Sequence, residues 1–364
     1  MRRISILLTA VVIALSSCSE DNMTDPVVQP NNTAGPNENM NDDNGWLIPF
    51  DEVRDGGPGK DGIPAIDDPK FIKANEADYL NDDDLVLGFA DGGEVRAYPH
   101  KILDWHEIIN DDTPNHSLAV IYCPLTGTGI GWDRNVGGKK TTFGVSGLLY
   151  NSNIIPYDRA TDSNWSQLLL KSVNGKLVGT RPVIHNLVET SWKTWKTMFP
   201  DSKVLSLSTG YNRNYQHYPY GTYKTNESLL FPVSNTNSRI HLKERVLAVI
   251  ENDKAIAFRF DQLETNEHMI TARLNDKNLV VTGNKNANLM VAFDRTLPDE
   301  TVLDLQPLNN QIPNILTDNE GNIWDVFGRA IDGPREGEKL LPVPQMMGYW
   351  FAFAAFYPEI VSVH

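Results

Sequence analysis

The chain has 364 residues, of which 40% are hydrophobic, so it is long enough for one large domain or two smaller ones and should bury a core. Its formal net charge of −15 argues against nucleic acid as a partner and against electrostatic attraction to anionic lipid. The partners that this charge favours are neutral or cationic.

An export signal is predicted at the N-terminus. Two arginines precede an apolar run over residues 4–15 that is too short to cross a bilayer comfortably. The run leads into LSSC at residues 15–18, which resembles the lipobox of bacterial lipoproteins, whose cysteine is lipidated and becomes the mature N-terminus. We therefore expect a signal peptide over residues 1–18, lipidation of Cys18, and an outer-membrane lipoprotein exposed to the periplasm or the cell surface. The alternative is an ordinary secretory peptide.

Beyond the signal, the sequence divides into a tether and a globular region. Residues 19–46 are rich in Asn, Asp, Pro and Thr and nearly lack apolar side chains, so they cannot offset the entropy of ordering. From residue 47 the composition changes, and we predict a single globular domain over residues 47–364. Once Cys18 is acylated, Cys123 is the one remaining cysteine, so the mature chain can form no intramolecular disulfide.

The domain begins with a predicted β-hairpin and a predicted helix. Val86–Ala90 and Glu94–Tyr98 flank an Asp-Gly-Gly turn, which is typical of a hairpin. Lys101–Asn110 is predicted to be a short helix, because apolar residues recur there at helical spacing and His106 shares their face. His106 should therefore point inward.

The next stretch, HSLAVIYCPLTGTGIGWDR over residues 116–134, contains the free cysteine. Leu118–Tyr122 is an almost unbroken apolar run, which predicts a strand buried on both faces. Cys123 stands where this strand ends, because Pro124 lacks a backbone donor and holds the residue before it extended. A loop with two glycines follows, and a second strand resumes at Ile130. The thiol at the mouth of this loop is a candidate reactive group.

Three segments of the first half recur in the same order in the second half. The matching pairs are VLGFADGGEVRAYPHKIL and VLAVIENDKAIAFRFDQL from Val86 and Val246, LAVIYCPLTGTGIGWDR and LVVTGNKNANLMVAFDR from Leu118 and Leu279, and WKTW and WFAF from Trp192 and Trp350. We therefore predict two pseudo-repeated β-rich units, about 85–200 and 245–358, fused into one globular domain. The predicted fold class is mainly β with a few short helices, and an α+β fold is the alternative.

The potentially reactive side chains belong to the first unit alone. They are Cys123, His106 and His100, and their counterparts in the second unit are Asn284, Asn266 and Phe260. A cysteine with histidines indicates either a thiolate activated by imidazole or a soft metal site for zinc or copper. Cys123 and His106 are therefore candidate catalytic residues, and both, with His100, are candidate metal ligands. The alternative is structural, with Cys123 as a small buried hydrophobe and His106 as a satisfied core histidine.

A polar stretch from Leu149 to Gln167 has no visible counterpart in the second unit. Its density of donors and acceptors predicts the wall of a cleft that orients a ligand. The candidate ligand-binding residues are Asn151, Arg159, Trp165 and Gln167, together with Thr126 from the loop behind Cys123. A purely structural hydrogen-bond network is the alternative.

The segment Gly210–Tyr223, GYNRNYQHYPYGTY, carries five tyrosines. Such a segment can bind glycan, or it can cover the junction between the two units, which we favour slightly. Two functions therefore remain open. One is a surface-anchored lipoprotein with a thiol- or metal-dependent site for a small molecule, and the other is a non-catalytic module that binds glycan or protein.

At these residues the chain resembles a bacterial exported family known as domain of unknown function 3179. The resemblance covers about residues 49–360 and rests on DGGPGKDGIPAI from Asp55, YPHKILDWHEIIND from Tyr98, YCPLTGTGIGWDR from Tyr122, FGVSGLLYNSNIIPYDRATDSNWSQ from Phe143 and STGYNRNY from Ser208. Many relatives carry Cys-Pro-Leu-Cys at this place, whereas this chain has Thr126 in place of the second cysteine. This difference weakens the proposal of a metal site or a disulfide-exchange site built from two cysteines. The family name implies no reaction.

Overall fold

A computed structural model describes residues 45–265 and 268–362. The predicted signal peptide, its lipidated Cys18 and the tether as far as residue 44 lie outside these residues.

The described chain is mainly β with short helices, which confirms the predicted fold class. Its first part contains β1 (Val53–Asp55), β2 (Phe71–Lys73), β3 (Leu85–Asp91), β4 (Glu94–Pro99), α1 (His100–His106), β5 (Ile108–Asp112), β6 (Ser117–Cys123), β7 (Thr128–Asp133), β8 (Asn135–Val136), β9 (Lys139–Lys140), β10 (Phe143–Tyr150), β11 (Asn153–Asp158), β12 (Asn164–Ser166), β13 (Lys171–Asn174), β14 (Ile184–His185), β15 (Val188–Ser191), α2 (Trp192–Met198) and β16 (Lys203–Leu205). Short 3₁₀ turns occupy Phe50–Glu52 and Ala74–Glu76.

The second part follows a segment without strands between residues 206 and 244. It contains β17 (Arg245–Glu251), β18 (Lys254–Phe258), α3 (Phe260–Thr265), β19 (Met269–Leu274), β20 (Lys277–Asn284), β21 (Leu289–Asp294), β22 (Leu305–Pro307), β23 (Asn314–Asp318), β24 (Ile323–Asp325), β25 (Ala330–Asp332), β26 (Leu341–Pro342), β27 (Gln345–Tyr349), α4 (Trp350–Phe356) and β28 (Val361–Ser362).

The strands of the two parts connect in the same way. The first part has sheets ordered β15-β3-β4-β16-β2, β14-β7-β6-β5 and β1-β10-β11-β12-β13, and the second has β27-β17-β18-β28, β26-β21-β20-β19 and β22-β23-β24-β25. Both β16 and β28 run parallel to the second strand of a hairpin, β4 and β18 respectively. Apart from β1, β2, β8 and β9, which occur in the first part alone among the described residues, the elements follow the same order in both parts, while their origin by duplication stays a prediction.

Strand β6 is buried on both faces, as its apolar run indicated. Because side chains alternate along a strand, Ala119, Ile121 and Cys123 enter one hydrophobic cluster and Leu118, Val120 and Tyr122 enter another. The first of these clusters also contains side chains of β17 and α4, so the two parts of the chain share a core. The second cluster contains the apolar face of α1.

Helix α1 is shorter than the sequence predicted. We expected a helix over Lys101–Asn110, but it ends at His106, and Ile108–Asp112 is strand β5. Glu107 has a positive φ of 58°, which stops the helix, and the β-branched Ile108 and Ile109 then pair with β6. Pairing with a buried strand outweighs the helical spacing of these apolar residues.

Candidate functional site

Cys123 ends β6 and is almost completely buried, at 1% exposure. Its thiol donates a long hydrogen bond of 3.7 Å to the carbonyl oxygen of Ser152. Burial raises the pKa of the Cys123 thiol to about 11, and the nearby carboxyl of Glu107 adds to the rise. The thiol is therefore protonated at neutral pH, whereas nucleophilic attack and metal binding need the thiolate.

His106 is buried on the other side of β6, among the aromatic residues of the second cluster. Its Nδ1 lies 2.7 Å from the carbonyl oxygen of Pro64, and its Nε2 lies 2.7 Å from the hydroxyl of Tyr215. Burial lowers the pKa of His106 to about 4, so the ring is neutral. Because both nitrogens already have partners, the structure does not bring His106 to the thiol of Cys123 as a base or as a second metal ligand.

His100 belongs to a buried ionic cluster at the start of α1. Its Nε2 lies 3.3 Å from Oε2 of Glu189, and its ring lies 4.5 Å from that of Tyr122. Glu189 also forms an ion pair with Arg245 of β17, whose positive charge holds the pKa of Glu189 below its usual range despite burial. His100 and Arg245 therefore both lie against a buried carboxylate between the two parts of the chain.

The candidate metal ligands do not form a centre in this structure. In the part of the chain that the structure describes, no three His, Cys, Asp or Glu side chains are grouped closely enough to hold a metal ion. A protonated thiol and a histidine with both nitrogens bonded also do not fit zinc or copper.

Thr126 and Gln167 lie together, but inside a packed polar network. Oε1 of Gln167 accepts hydrogen bonds of 2.6 Å from the hydroxyl of Thr128 and 2.7 Å from the amide of Asn153. The Asn153 amide also donates to Thr126, and the Gln167 amide donates to the carbonyl oxygens of Ile121 and Thr128. These bonds fasten the start of β11 and the residue after β12 to β6 and β7, so Thr126 and Gln167 take part in a structural network.

The other predicted ligand-binding residues lie in separate places. Trp165 is fully buried and donates to Asp158. Arg159 forms ion pairs with Asp61 and Asp67 near the surface, and Asn151 accepts hydrogen bonds from Ser234. The structure therefore does not gather Asn151, Arg159, Trp165 and Gln167 around one ligand.

Glu107, which the sequence analysis did not single out, carries a buried carboxyl near Cys123 with a strongly raised pKa. It follows α1 directly, is 7% exposed, and its Oε1 accepts a hydrogen bond of 3.2 Å from the hydroxyl of Tyr220. Burial, with a smaller contribution from the negative charge of Asp104, raises the pKa of Glu107 to about 7, although the hydrogen bond from Tyr220 opposes this rise. A carboxyl with this pKa can both give and take a proton at neutral pH.

Asp104, one helical turn before Glu107, is the second carboxyl of the site. Its Oδ2 accepts a hydrogen bond of 2.8 Å from the ammonium group of Lys224, while its buried Oδ1 has no hydrogen-bond partner among the described residues. Burial raises the pKa of Asp104, although the charge of Lys224 opposes this rise. Two buried carboxyls close together restrict each other's ionisation.

The tyrosine-rich segment covers the loop behind Cys123. The hydroxyl of Tyr223 donates to the carbonyl oxygen of Leu125 at 2.9 Å, and that of Tyr218 lies 3.4 Å from the carbonyl oxygen of Pro124. Lys243 holds the segment in place by donating to the carbonyl oxygens of Tyr223 and Ser228 at 2.6 and 2.8 Å. These contacts support the interpretation of the segment as a cover.

Two small cavities lie beside the carboxyls under this cover. One, of about 30 Å³, is bounded by Glu107, Leu125 and Tyr220. The other, of about 20 Å³, is bounded by Asp104, Trp105 and Tyr220. Each has room for about one or two water molecules, so a larger ligand would have to displace part of the cover.

A larger cavity of about 130 Å³ lies elsewhere, between the two parts of the chain, and contains His116 and His185. Its one carboxylate, Asp91, is already matched, because it lies 2.7 Å from Nε2 of His116 and 3.1 Å from the guanidinium of Arg329. The buried carboxyl of Glu107, which has a tyrosine hydroxyl and not a cation as its hydrogen-bond partner, makes the smaller site the better candidate for chemistry.

A family model described as Protein of unknown function (DUF3179) matches residues 60–360. The chain belongs to this family. No curated protein and no solved structure matches it. The family therefore spans the site just described, from the cavity beside Ile63 to α4, but its description states no reaction. No helix in the described ranges has the length and apolar character needed to span a bilayer.

Proposed function

We propose that this protein is an exported, lipid-anchored enzyme that performs acid–base chemistry on a small ligand, with Glu107 as the group that transfers the proton. The observation that carries the proposal is the carboxyl of Glu107, which is buried, borders a cavity and has a pKa of about 7. Structural carboxylates are usually paired with a cation, whereas Glu107 has a tyrosine hydroxyl and a protonated thiol as neighbours.

The thiol has a supporting part in this proposal. Cys123 is an uncharged, polarisable neighbour of the carboxyl, because its pKa of about 11 leaves it protonated. A thiol- or metal-dependent mechanism would require this proton to be lost. Metal analysis of protein purified without chelator, alongside a Cys123→Ser variant, separates these mechanisms. Stoichiometric metal that disappears in the variant would support the metal-dependent one.

Binding of glycan by the tyrosine-rich segment is the second candidate function. Tyr211 supports it, because its ring is 43% exposed, as a sugar-stacking residue requires. Tyr215 and Tyr223 are buried, however, and Tyr218 and Tyr220 point their hydroxyls at the loop and at Glu107. Most of the segment thus serves the buried site, and the acid–base function is favoured.

The lipid anchor rests on the sequence of residues 1–18. Acylation of Cys18 would place the domain at a membrane through the tether predicted over residues 19–46, in the outer membrane and facing the periplasm or the cell surface. Cys18→Ser is expected to abolish metabolic labelling with a fatty acid and to release the protein from the membrane fraction. Labelling that persists in this variant would exclude Cys18 as the acceptor.

A direct titration tests the acid–base group. In protein labelled with ¹³C at the glutamate side-chain carboxyls, we expect one NMR signal with a midpoint at about pH 7, set by burial, that is missing from a Glu107→Gln variant. Glu359→Gln is a matched control, because Glu359 is exposed. If every glutamate signal titrates near pH 4.5, the site has no group poised for proton transfer and the proposal fails.

A further inference from the structure

We propose that the site takes a primary amine, whose ammonium group binds between the carboxylate of Asp104 and the ring of Tyr218. Within the chain, this place is filled by the side chain of Lys224. The inference rests on the proposed function, because it names the ligand class of the same site.

Lys224 shows that an ammonium group fits this place. Its Nζ lies 2.8 Å from Oδ2 of Asp104 and 4.0 Å from the centre of the Tyr218 ring. A carboxylate and an aromatic face together are the usual surroundings of a bound amine cation. The side chain of Lys224 is 38% exposed, so it reaches the buried carboxylate from the surface and can be replaced from there.

The charges of the site favour a cation. Three buried carboxyls lie near one another, those of Asp104, Glu107 and Glu189, and Glu189 is matched by Arg245. Lys224 is the cation in contact with Asp104, Arg245 acts on Asp104 from further away, and the hydrogen-bond partner of Glu107 is the uncharged hydroxyl of Tyr220. A buried carboxyl without enough positive charge nearby is costly, so this place should bind a cation more strongly than a neutral molecule.

The hydrogen bonds indicate a primary amine rather than a quaternary one. Oδ1 of Asp104 is buried and has no hydrogen-bond partner within the described residues, and Asp104 borders the cavity of about 20 Å³. The ammonium of Lys224, which is tethered to its backbone, bonds Oδ2 and leaves Oδ1 without a partner. A free primary ammonium group carries three N–H donors and is not tethered, so it can lie between the two oxygens and bond both. A quaternary ammonium has no donor and would leave both oxygens unsatisfied.

Truncation of Lys224 provides the test, because it empties the place without touching either carboxyl. Lys224→Ala lacks the three carbons and the nitrogen that propylammonium contains. We expect propylammonium to bind this variant saturably, as measured by calorimetry at constant ionic strength, and at least tenfold more tightly than it binds the unaltered protein. Lys224→Met is the matched control, since the methionine side chain fills the space of the lysine side chain without carrying a charge.

Further probes and variants test whether binding requires the positive charge and the N–H donors of the ligand, and whether it requires Asp104 and Tyr218. 1-Propanol, which has the same shape without charge, and tetramethylammonium, which has charge without a donor, are expected not to bind Lys224→Ala. Adding Asp104→Asn should abolish binding of propylammonium, and adding Tyr218→Leu, which leaves both carboxyls intact, should weaken it. No saturable binding to Lys224→Ala, or equal binding of all three probes, would overturn the inference.

The two proposals can fail separately. A Glu107 signal with a midpoint near pH 7, together with no binding of propylammonium, refutes the ligand class and leaves the acid–base group. An ordinary Glu107 titration refutes the acid–base group, whether or not propylammonium binds at Asp104.

Discussion

Replacing Glu107 by glutamine should remove a specific pH dependence from the stability of the fold. Folding raises the pKa of this carboxyl from 4.5 to about 7, mainly through burial. The folded state then binds the proton more tightly than the unfolded state, so this contribution to stability is complete below about pH 4.5 and is lost as the pH rises through about 7. Because one pKa unit corresponds to about 1.4 kcal/mol, the loss amounts to about 3 kcal/mol.

Glutamine keeps the shape of the neutral carboxyl but cannot ionise. The free energy of unfolding of the unaltered protein, relative to that of Glu107→Gln, should therefore fall by about 3 kcal/mol between about pH 4.5 and about pH 8. Urea unfolding of both proteins across this range measures the difference, and any constant cost of the amide cancels. For the control, the difference in free energy of unfolding between the unaltered protein and Glu359→Gln should not change in this way with pH, because both proteins keep Glu107. A difference between the two proteins that stays flat over the range would refute the reasoning.

Three further results are expected. The thiol of Cys123 should resist iodoacetamide at about pH 8 in the folded protein and react after unfolding in urea, because burial keeps it protonated; equal rates in both states would contradict this. Arg245→Met should lower the free energy of unfolding by about 3–5 kcal/mol, because it removes the guanidinium from the buried Glu189 and leaves His100 as its neighbour, and a second change, Glu189→Gln, should recover most of the loss. Gly88→Ala should lower the thermal midpoint strongly, because its Cβ would lie 1.8 Å from the ring of Trp195, and an unchanged midpoint would contradict that packing.

The sequence predicted the framework well because the framework depends on local patterns. The hairpin of β3 and β4 and the buried strand β6 follow from apolar runs and turn residues. The end of α1 was missed because the stop is a single residue, Glu107, in a left-handed conformation, and the competing strand pairing is a long-range effect.

The candidate site was only partly predictable. Comparison of the two units directed attention to residues that differ, such as Cys123. Asp104 and Glu107 have the acids Glu264 and Glu267 as their counterparts in the sequence, so this comparison does not single them out. Their unusual ionisation comes from burial under the tyrosine-rich segment, which lies more than one hundred residues further along the chain. Periodicity cannot reveal such a contact.

The loop from Cys123 to Gly127 makes the site a late product of chain synthesis. Its carbonyl oxygens are held by Tyr223, by the backbone N–H of Tyr349 and by Arg245, all of which come from the later half of the chain. A nascent chain that has emerged only to residue 240 has β6 and both carboxyls, but it lacks the guanidinium that neutralises Glu189 and the strand that closes the loop. The buried surroundings of Glu107 are therefore complete only after the later half of the chain has folded onto the first half.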